Sequence, residues 1–123
     1  MARILLVHHD LTQIMLFKNV LTREGYDIVW AFDYATAIDT VQQTSIQLAF
    51  FSVWLSAING VDLAHALRTL DPTLPLVVLL SEFGSQRSSL NALNVKSIIP
   101  PFEIPKIIRI TQLYIRSPFD PRI

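Results

Sequence analysis

The stretch that decides the fold is Leu48-Ala49-Phe50-Phe51-Ser52-Val53-Trp54-Leu55-Ser56-Ala57-Ile58-Asn59-Gly60. Its first four residues are apolar without polar alternation, which is typical of a central strand buried on both faces of a parallel sheet. The run then reaches the hydroxyl of Ser52, and a helical spacing of apolar residues begins directly after Gly60. Because ligands of open α/β sheets bind at the carboxyl ends of the strands, Ser52 occupies the position where such a fold carries its chemistry.

Similar patterns recur along the chain and predict strands that alternate with helices. The predicted strands are residues 3–7, 27–31, 48–51, 76–80 and 97–99. The predicted helices are residues 11–24, a segment capped by Asp33, a segment that follows Gly60 and ends at Asp71-Pro72, residues 85–93 and residues 103–116. Five strands alternating with five helices predict an α/β fold, a doubly wound five-stranded parallel sheet with right-handed crossovers.

The composition of the chain restricts its class and its partners. The 123 residues suffice for one domain, with 51% hydrophobic and only 16% charged residues, so either the core is large or apolar patches face a partner. The formal net charge is zero and the basic residues are scattered, which argues against direct contact with nucleic acid. There is no cysteine, and no apolar run approaches the ~18 residues of a membrane helix. We predict a soluble cytoplasmic domain without a membrane partner.

The order of elements and several separated landmarks resemble the receiver domains of bacterial two-component response regulators. In that family the third strand is followed by an aspartate, two apolar residues, Leu-Pro-Gly, one apolar residue and Asp-Gly. Asn59 stands at the second aspartate of this pattern and Ser56 at its proline. The landmarks that match are Leu55, Gly60, Pro75 before the fourth strand, and Pro101-Phe102 after the fifth. The resemblance covers residues 4–116 and implies the receiver, or flavodoxin-like, fold.

The resemblance also implies where the phosphorylation pocket of the family would lie. A receiver that can be phosphorylated needs a carboxylate nucleophile, two acids that bind Mg²⁺, a lysine and a hydroxyl. These groups act by positioning and charge neutralisation. The corresponding positions here, which we call the vestigial pocket, are His8, His9, Asp10, Ser52, Leu80, Ser81 and Pro100.

At each essential position of this pocket the residue type differs from the one that the family uses. Ser52 stands at the nucleophile, and His8 and His9 stand at the acidic pair, although imidazoles are poor ligands for Mg²⁺. The hydroxyl position aligns with Leu80, one residue before Ser81, and the lysine position aligns with Pro100. The sequence therefore predicts a degenerate receiver that works without phosphorylation, as a signalling and protein-interaction module and not as an enzyme.

The same polar residues allow a second interpretation, a small α/β enzyme or metal-binding domain using His8, His9, Asp10 and Ser52. Zinc sites need three or four converging ligands, and neighbouring residues at a strand end are expected to point to opposite sides. A hydrolase triad that includes Ser52 lacks the Gly-x-Ser-x-Gly elbow. We therefore predict neither a metal nor a cofactor, and the enzyme stays the alternative.

The last predicted helix carries the candidate interaction surface. Its apolar arc covers about half of the helix circumference, whereas about 100° suffices for contact with a core. The arc consists of Ile104, Ile107, Ile108, Ile110, Leu113, Tyr114 and Ile115. If one stripe packs on the sheet, Ile107, Ile110 and Tyr114 remain to bind a protein partner or a second copy in a homodimer. Simple burial of the whole helix is the other interpretation. The domain is predicted to occupy residues 1–116, and residues 117–123 a tail or the start of a linker.

Overall fold

The computed structural model describes residues 2–52, 60–79, 96–98 and 104–115. The strands of this part of the chain are β1 (Arg3–Val7), β2 (Asp27–Ala31), β3 (Leu48–Ser52), β4 (Leu76–Leu79) and β5 (Lys96–Ile98). Its helices are α1 (Leu11–Arg23), α2 (Tyr34–Gln43), α3 (Gly60–Leu70) and α4 (Ile104–Tyr114). The helix predicted at residues 85–93 and the tail at residues 117–123 lie outside the described residues.

The strands form one parallel sheet in the order β2-β1-β3-β4-β5. This is the doubly wound order in which β1 and β3 are neighbours although β2 separates them in sequence. The α/β fold with a five-stranded parallel sheet is thereby confirmed. The strand order reverses between β1 and β3, and folds of this kind bind their ligands at the carboxyl edge of the sheet next to such a reversal.

Both faces of the sheet are covered, which explains why its central strands are apolar throughout. All five residues of β3 are buried. On one face Ala49 and Phe51 join a cluster with residues of α2 and α3. On the other face Leu48 and Phe50 join a cluster with residues of α1 and α4, where the rings of Phe17 and Phe50 meet edge to face at 5.4 Å. A strand with helices on both sides has no solvent-facing positions that would need polar residues.

The ends of the helices follow the local signals in the sequence. The carboxylate of Asp33 accepts a hydrogen bond from the backbone N–H of Thr36 at 2.8 Å and caps α2, as predicted. Gly25 has a φ of 90° directly after α1. The N–H of Gly25 donates to the carbonyl of Thr22, and that of Tyr26 to Leu21, which together form a Schellman motif. These two devices fix where β2 and α2 begin.

Candidate functional site at the carboxyl edge of the sheet

Two of the predicted pocket residues lie side by side at the carboxyl ends of β1 and β3. Val7 pairs with Phe51 in the register of these strands, so the next positions, His8 and Ser52, are neighbours. The backbone N–H of His8 donates to the carbonyl of Ala31 at 3.1 Å, which anchors it to the other neighbouring strand as well. His8 is 7% and Ser52 6% exposed, so both side chains are buried. The predicted position of Ser52 at the end of the central strand is confirmed.

His8 is held in one protonation state by the backbone. Its Nδ1 accepts a hydrogen bond from the backbone N–H of Asp10 at 3.0 Å, which requires an unprotonated Nδ1. Burial lowers the pKa of His8, the neighbouring His9 lowers it further, and Asp10 partly opposes both. The neutral ring therefore carries its proton on Nε2 at neutral pH.

The side chain of His9 does not point in the direction expected for the second residue after a strand. The expectation that His8 and His9 point to opposite sides is wrong, because their rings stack with centroids 5.1 Å apart and an angle of 22° between their planes. Side-chain alternation requires extended backbone, and β1 ends at Val7, after which the chain bends at His9. The stacked pair leaves His8 buried and His9 exposed.

Asp10 is engaged as a helix cap. Its carboxylate accepts a hydrogen bond from the backbone N–H of Thr12 at 2.9 Å at the start of α1. An N-cap carboxylate stabilises the helix by satisfying an orphan donor and by its interaction with the helix dipole. Within the described residues, no group of three or more histidine, cysteine, aspartate or glutamate side chains could hold a metal ion. The metal-binding alternative therefore has no support in this part of the chain.

The buried His8 leads to a prediction about pH. Its pKa in the folded protein lies below 6.5, so just below pH 6.5 the unfolded chain binds more protons than the folded one. Stability then rises with pH, and the contribution of the neutral ring is complete only above about pH 6.5. We expect the free energy of unfolding, measured by urea titration, to fall between about pH 7.5 and about pH 5.5.

The matched control is His8→Asn, since the amide oxygen of asparagine can accept the same hydrogen bond without titrating. This variant should lose less stability than the wild type over the same pH range. Equal losses in the two proteins would contradict the role assigned to His8.

The other predicted pocket residues, Leu80, Ser81 and Pro100, lie outside the described residues. The structure therefore brings together His8, His9, Asp10 and Ser52 at one edge of the sheet. It leaves the positions of the hydroxyl and the lysine of the family untested.

The predicted interaction surface on α4 needs correction. Ile107 is fully buried and Ile110 is 6% exposed, and both belong to the core cluster on the α1 side of the sheet. Of the three residues of the predicted surface, Tyr114 alone is exposed, at the end of the helix. The arc is wide because α4 contacts both α1 and the core of the sheet, so that more than one stripe is buried. The most exposed apolar residue of α4 is Leu113, which is 71% exposed, and Ile104 and Tyr114 near the two ends of the helix are exposed as well.

A different apolar surface escaped the sequence analysis. Leu11, Met15, Trp30 and Phe32 are each between 41% and 59% exposed, and they come from α1 and from the end of β2. We call these four residues the α1–β2 patch. In the sequence, Trp30 and Phe32 fit an ordinary strand and its end, and Leu11 and Met15 fit an ordinary helix. Trp30 and Phe32 stay exposed beside β2, the outer strand of the sheet, while Leu11 and Met15 are not among the buried residues of α1.

The described part of the chain contains no helix that is long and apolar enough to cross a membrane.

Comparison with known proteins agrees with the fold. Residues 4–98 match the family model described as the response regulator receiver domain. Response regulator RppA of Synechocystis sp. is 32% identical, over 98% of this chain and 54% of that protein. The uncharacterized transcriptional regulatory protein YbdJ of Bacillus subtilis is 28% identical, over 98% of this chain and 46% of that protein. The chain thus spans about half the length of these curated relatives.

Solved structures show the same architecture. The chemotaxis protein CheY4 of Vibrio cholerae superposes with a TM-score of 0.85, covering 94% of this chain and 99% of that one, at 18% identity. At such identity the likeness establishes the fold, while the family model and the relatives establish descent. The chain belongs to the response regulator receiver domain family of two-component signalling.

Proposed function

We propose that this chain is a degenerate receiver that signals without aspartyl phosphorylation, by binding a protein partner. The observation that carries the proposal is Ser52, a buried hydroxyl at the carboxyl end of β3, where the family has its phosphate-accepting aspartate. Phosphorylation of a receiver forms a bond between a carboxylate oxygen and phosphorus, with Mg²⁺ neutralising the charge that develops. Serine has no carboxylate, and its hydroxyl is a weak nucleophile unless a base activates it.

The residues around Ser52 support the same proposal. Mg²⁺ takes hard oxygen ligands in octahedral geometry, whereas His8 offers a nitrogen, and that nitrogen already accepts a hydrogen bond from Asp10. The carboxylate of Asp10 already caps α1 through Thr12. Both groups thus stabilise the loop between β1 and α1. In a receiver that is phosphorylated, this loop binds the metal instead.

We also propose a role for the domain as a whole. A receiver without its nucleophile has no reaction to catalyse, so the proposed module is not an enzyme and needs no cofactor. Its neutral net charge supports a protein partner over direct contact with nucleic acid. We place the domain at residues 1–116 and in the cytoplasm, where two-component receivers meet their partners.

Treatment with a phosphoryl donor tests the proposal. The purified chain is incubated with acetyl phosphate and Mg²⁺ and its intact mass is measured. Beryllofluoride with Mg²⁺ is followed by NMR. We expect no added phosphoryl group and no beryllofluoride-dependent shift of the signals from His8 and Ser52, because both reagents need a carboxylate and its metal. Ser52→Asp alone should also remain unlabelled, since it restores only the nucleophile.

A receiver with an intact aspartate pocket, treated in parallel, shows that the reagents are active. Stable labelling of the wild type, or of Ser52→Asp alone, would falsify the proposal that the pocket is inactive.

A further inference from the structure

The α1–β2 patch concentrates apolar surface on one flank of the molecule. Of the eight large hydrophobic side chains exposed in the described residues, four belong to this patch. The others are separated along the chain, with Ile104, Leu113 and Tyr114 on α4 and Leu70 on α3. Scattered exposed apolar residues are common, whereas a group on one flank is typical of a binding surface.

The geometry brings the four side chains of the patch onto one surface. Leu11, Met15 and Lys18 follow one another at helical spacings of four and three residues and therefore form a single stripe along α1. The Nζ of Lys18 lies 4.6 Å from the centre of the Trp30 ring, so this stripe borders β2. Phe32 comes two residues after Trp30 and lies beyond the carboxyl end of β2. Since β2 is the outer strand of the sheet, no further strand covers this flank in the described chain.

The charges at the ends of the patch point to its occupant. Asp10 precedes Leu11, and Asp33 follows Phe32, so one end carries two exposed carboxylates. Lys18 lies about 10 Å further along α1, at 1.5 Å of rise per residue, and gives the other end a positive charge. A surface with opposite charges at its two ends is complementary to itself after a twofold rotation.

We propose that a second copy of this chain binds the α1–β2 patch in a twofold-symmetric homodimer. In this dimer Met15 lies near the axis, and Lys18 of each copy, which lies over its own Trp30, faces the acidic end of the other. The formal net charge of zero leaves no overall repulsion between the copies. We expect a weak, transient contact with a dissociation constant on the order of 10 to 100 µM.

The test is sedimentation equilibrium of the 123-residue chain over a concentration series that extends to about 1 mM, well above the expected dissociation constant. The wild type is expected to dimerise. Met15→Glu places a carboxylate at the centre of the patch and should weaken dimerisation at least about 30-fold, the loss typical of an interface hot spot. Phe32→Ser is the second variant, and circular dichroism verifies that both variants fold.

The matched control is Leu113→Glu, the same kind of change at an exposed residue of α4, which should leave the dimer intact. A wild type that stays monomeric over the whole series overturns the proposal, and so does a dimer that Leu113→Glu disrupts while Met15→Glu and Phe32→Ser do not. Disruption by both patch variants with an intact Leu113→Glu dimer supports it. These outcomes do not depend on phosphoryl transfer, so the failure of either proposal is distinguishable from failure of the other.

Discussion

Ile110→Glu is expected to unfold the domain or to bring it close to unfolding. The side chain of Ile110 is 6% exposed and lies in the core cluster that α1, α4 and the sheet share. A carboxylate at this site would lose its hydration without gaining a cationic partner in that cluster, which consists of apolar residues. We expect a loss of about 4 kcal/mol or more, a large part of the 5–15 kcal/mol by which a typical domain is stable.

The measurement is urea unfolding followed by circular dichroism. Leu113→Glu, three residues further along the same helix, is the matched control because its side chain points into solvent. Its free energy of unfolding should stay within about 0.5 kcal/mol of the wild type. An Ile110→Glu variant with unchanged urea midpoint would contradict the burial of α4 and return Ile110 to the exposed surface.

The different success of the predictions for β3 and for α4 has a physical cause. An unbroken apolar strand such as β3 has one favourable environment, the interior of a parallel sheet, so its pattern identifies both its structure and its position. A helix with a wide apolar arc has two favourable environments. The apolar residues that do not contact the sheet can face solvent and a partner, or they can pack against a neighbouring helix. Ile107 and Ile110 packed inward, and the sequence of α4 alone did not say that α1 would lie beside it.

At the carboxyl edge, too, the sequence predicted the position of a residue but not the contacts of the side chains. The sequence located Ser52, since the end of a buried strand is recognisable from its apolar run. It did not show the hydrogen bond from the N–H of Asp10 to His8, nor the stacking of His9 on His8. Both depend on the bend at His9 after β1, and so short a bend leaves little trace in composition or periodicity. The α1–β2 patch was missed because exposure at the edge of a sheet is set by strand order, not by the strand's own residues.

Restoring the acidic pair, the nucleophile and the lysine together should restore phosphorylation, whereas restoring the nucleophile alone should not. The variant combines His8→Asp, His9→Asp, Ser52→Asp and Pro100→Lys, which supplies the acids, the nucleophile and the lysine that the family uses. Its carboxylates repel one another without metal, so the variant should be less stable than the wild type in the presence of a chelator. Mg²⁺ neutralises them and completes the site for phosphoryl transfer.

Two measurements follow the restored site independently. Intact mass after acetyl phosphate and Mg²⁺ should show one added phosphoryl group on the fourfold variant and none on Ser52→Asp. Free Mg²⁺ at ten times its dissociation constant should raise the free energy of unfolding of the fourfold variant by about 1.4 kcal/mol and leave that of the wild type unchanged. A folded variant that binds Mg²⁺ but takes up no phosphate would count against the assignment of these four positions. Labelling of Ser52→Asp alone would show that His8, His9 and Pro100 do not keep the pocket inactive.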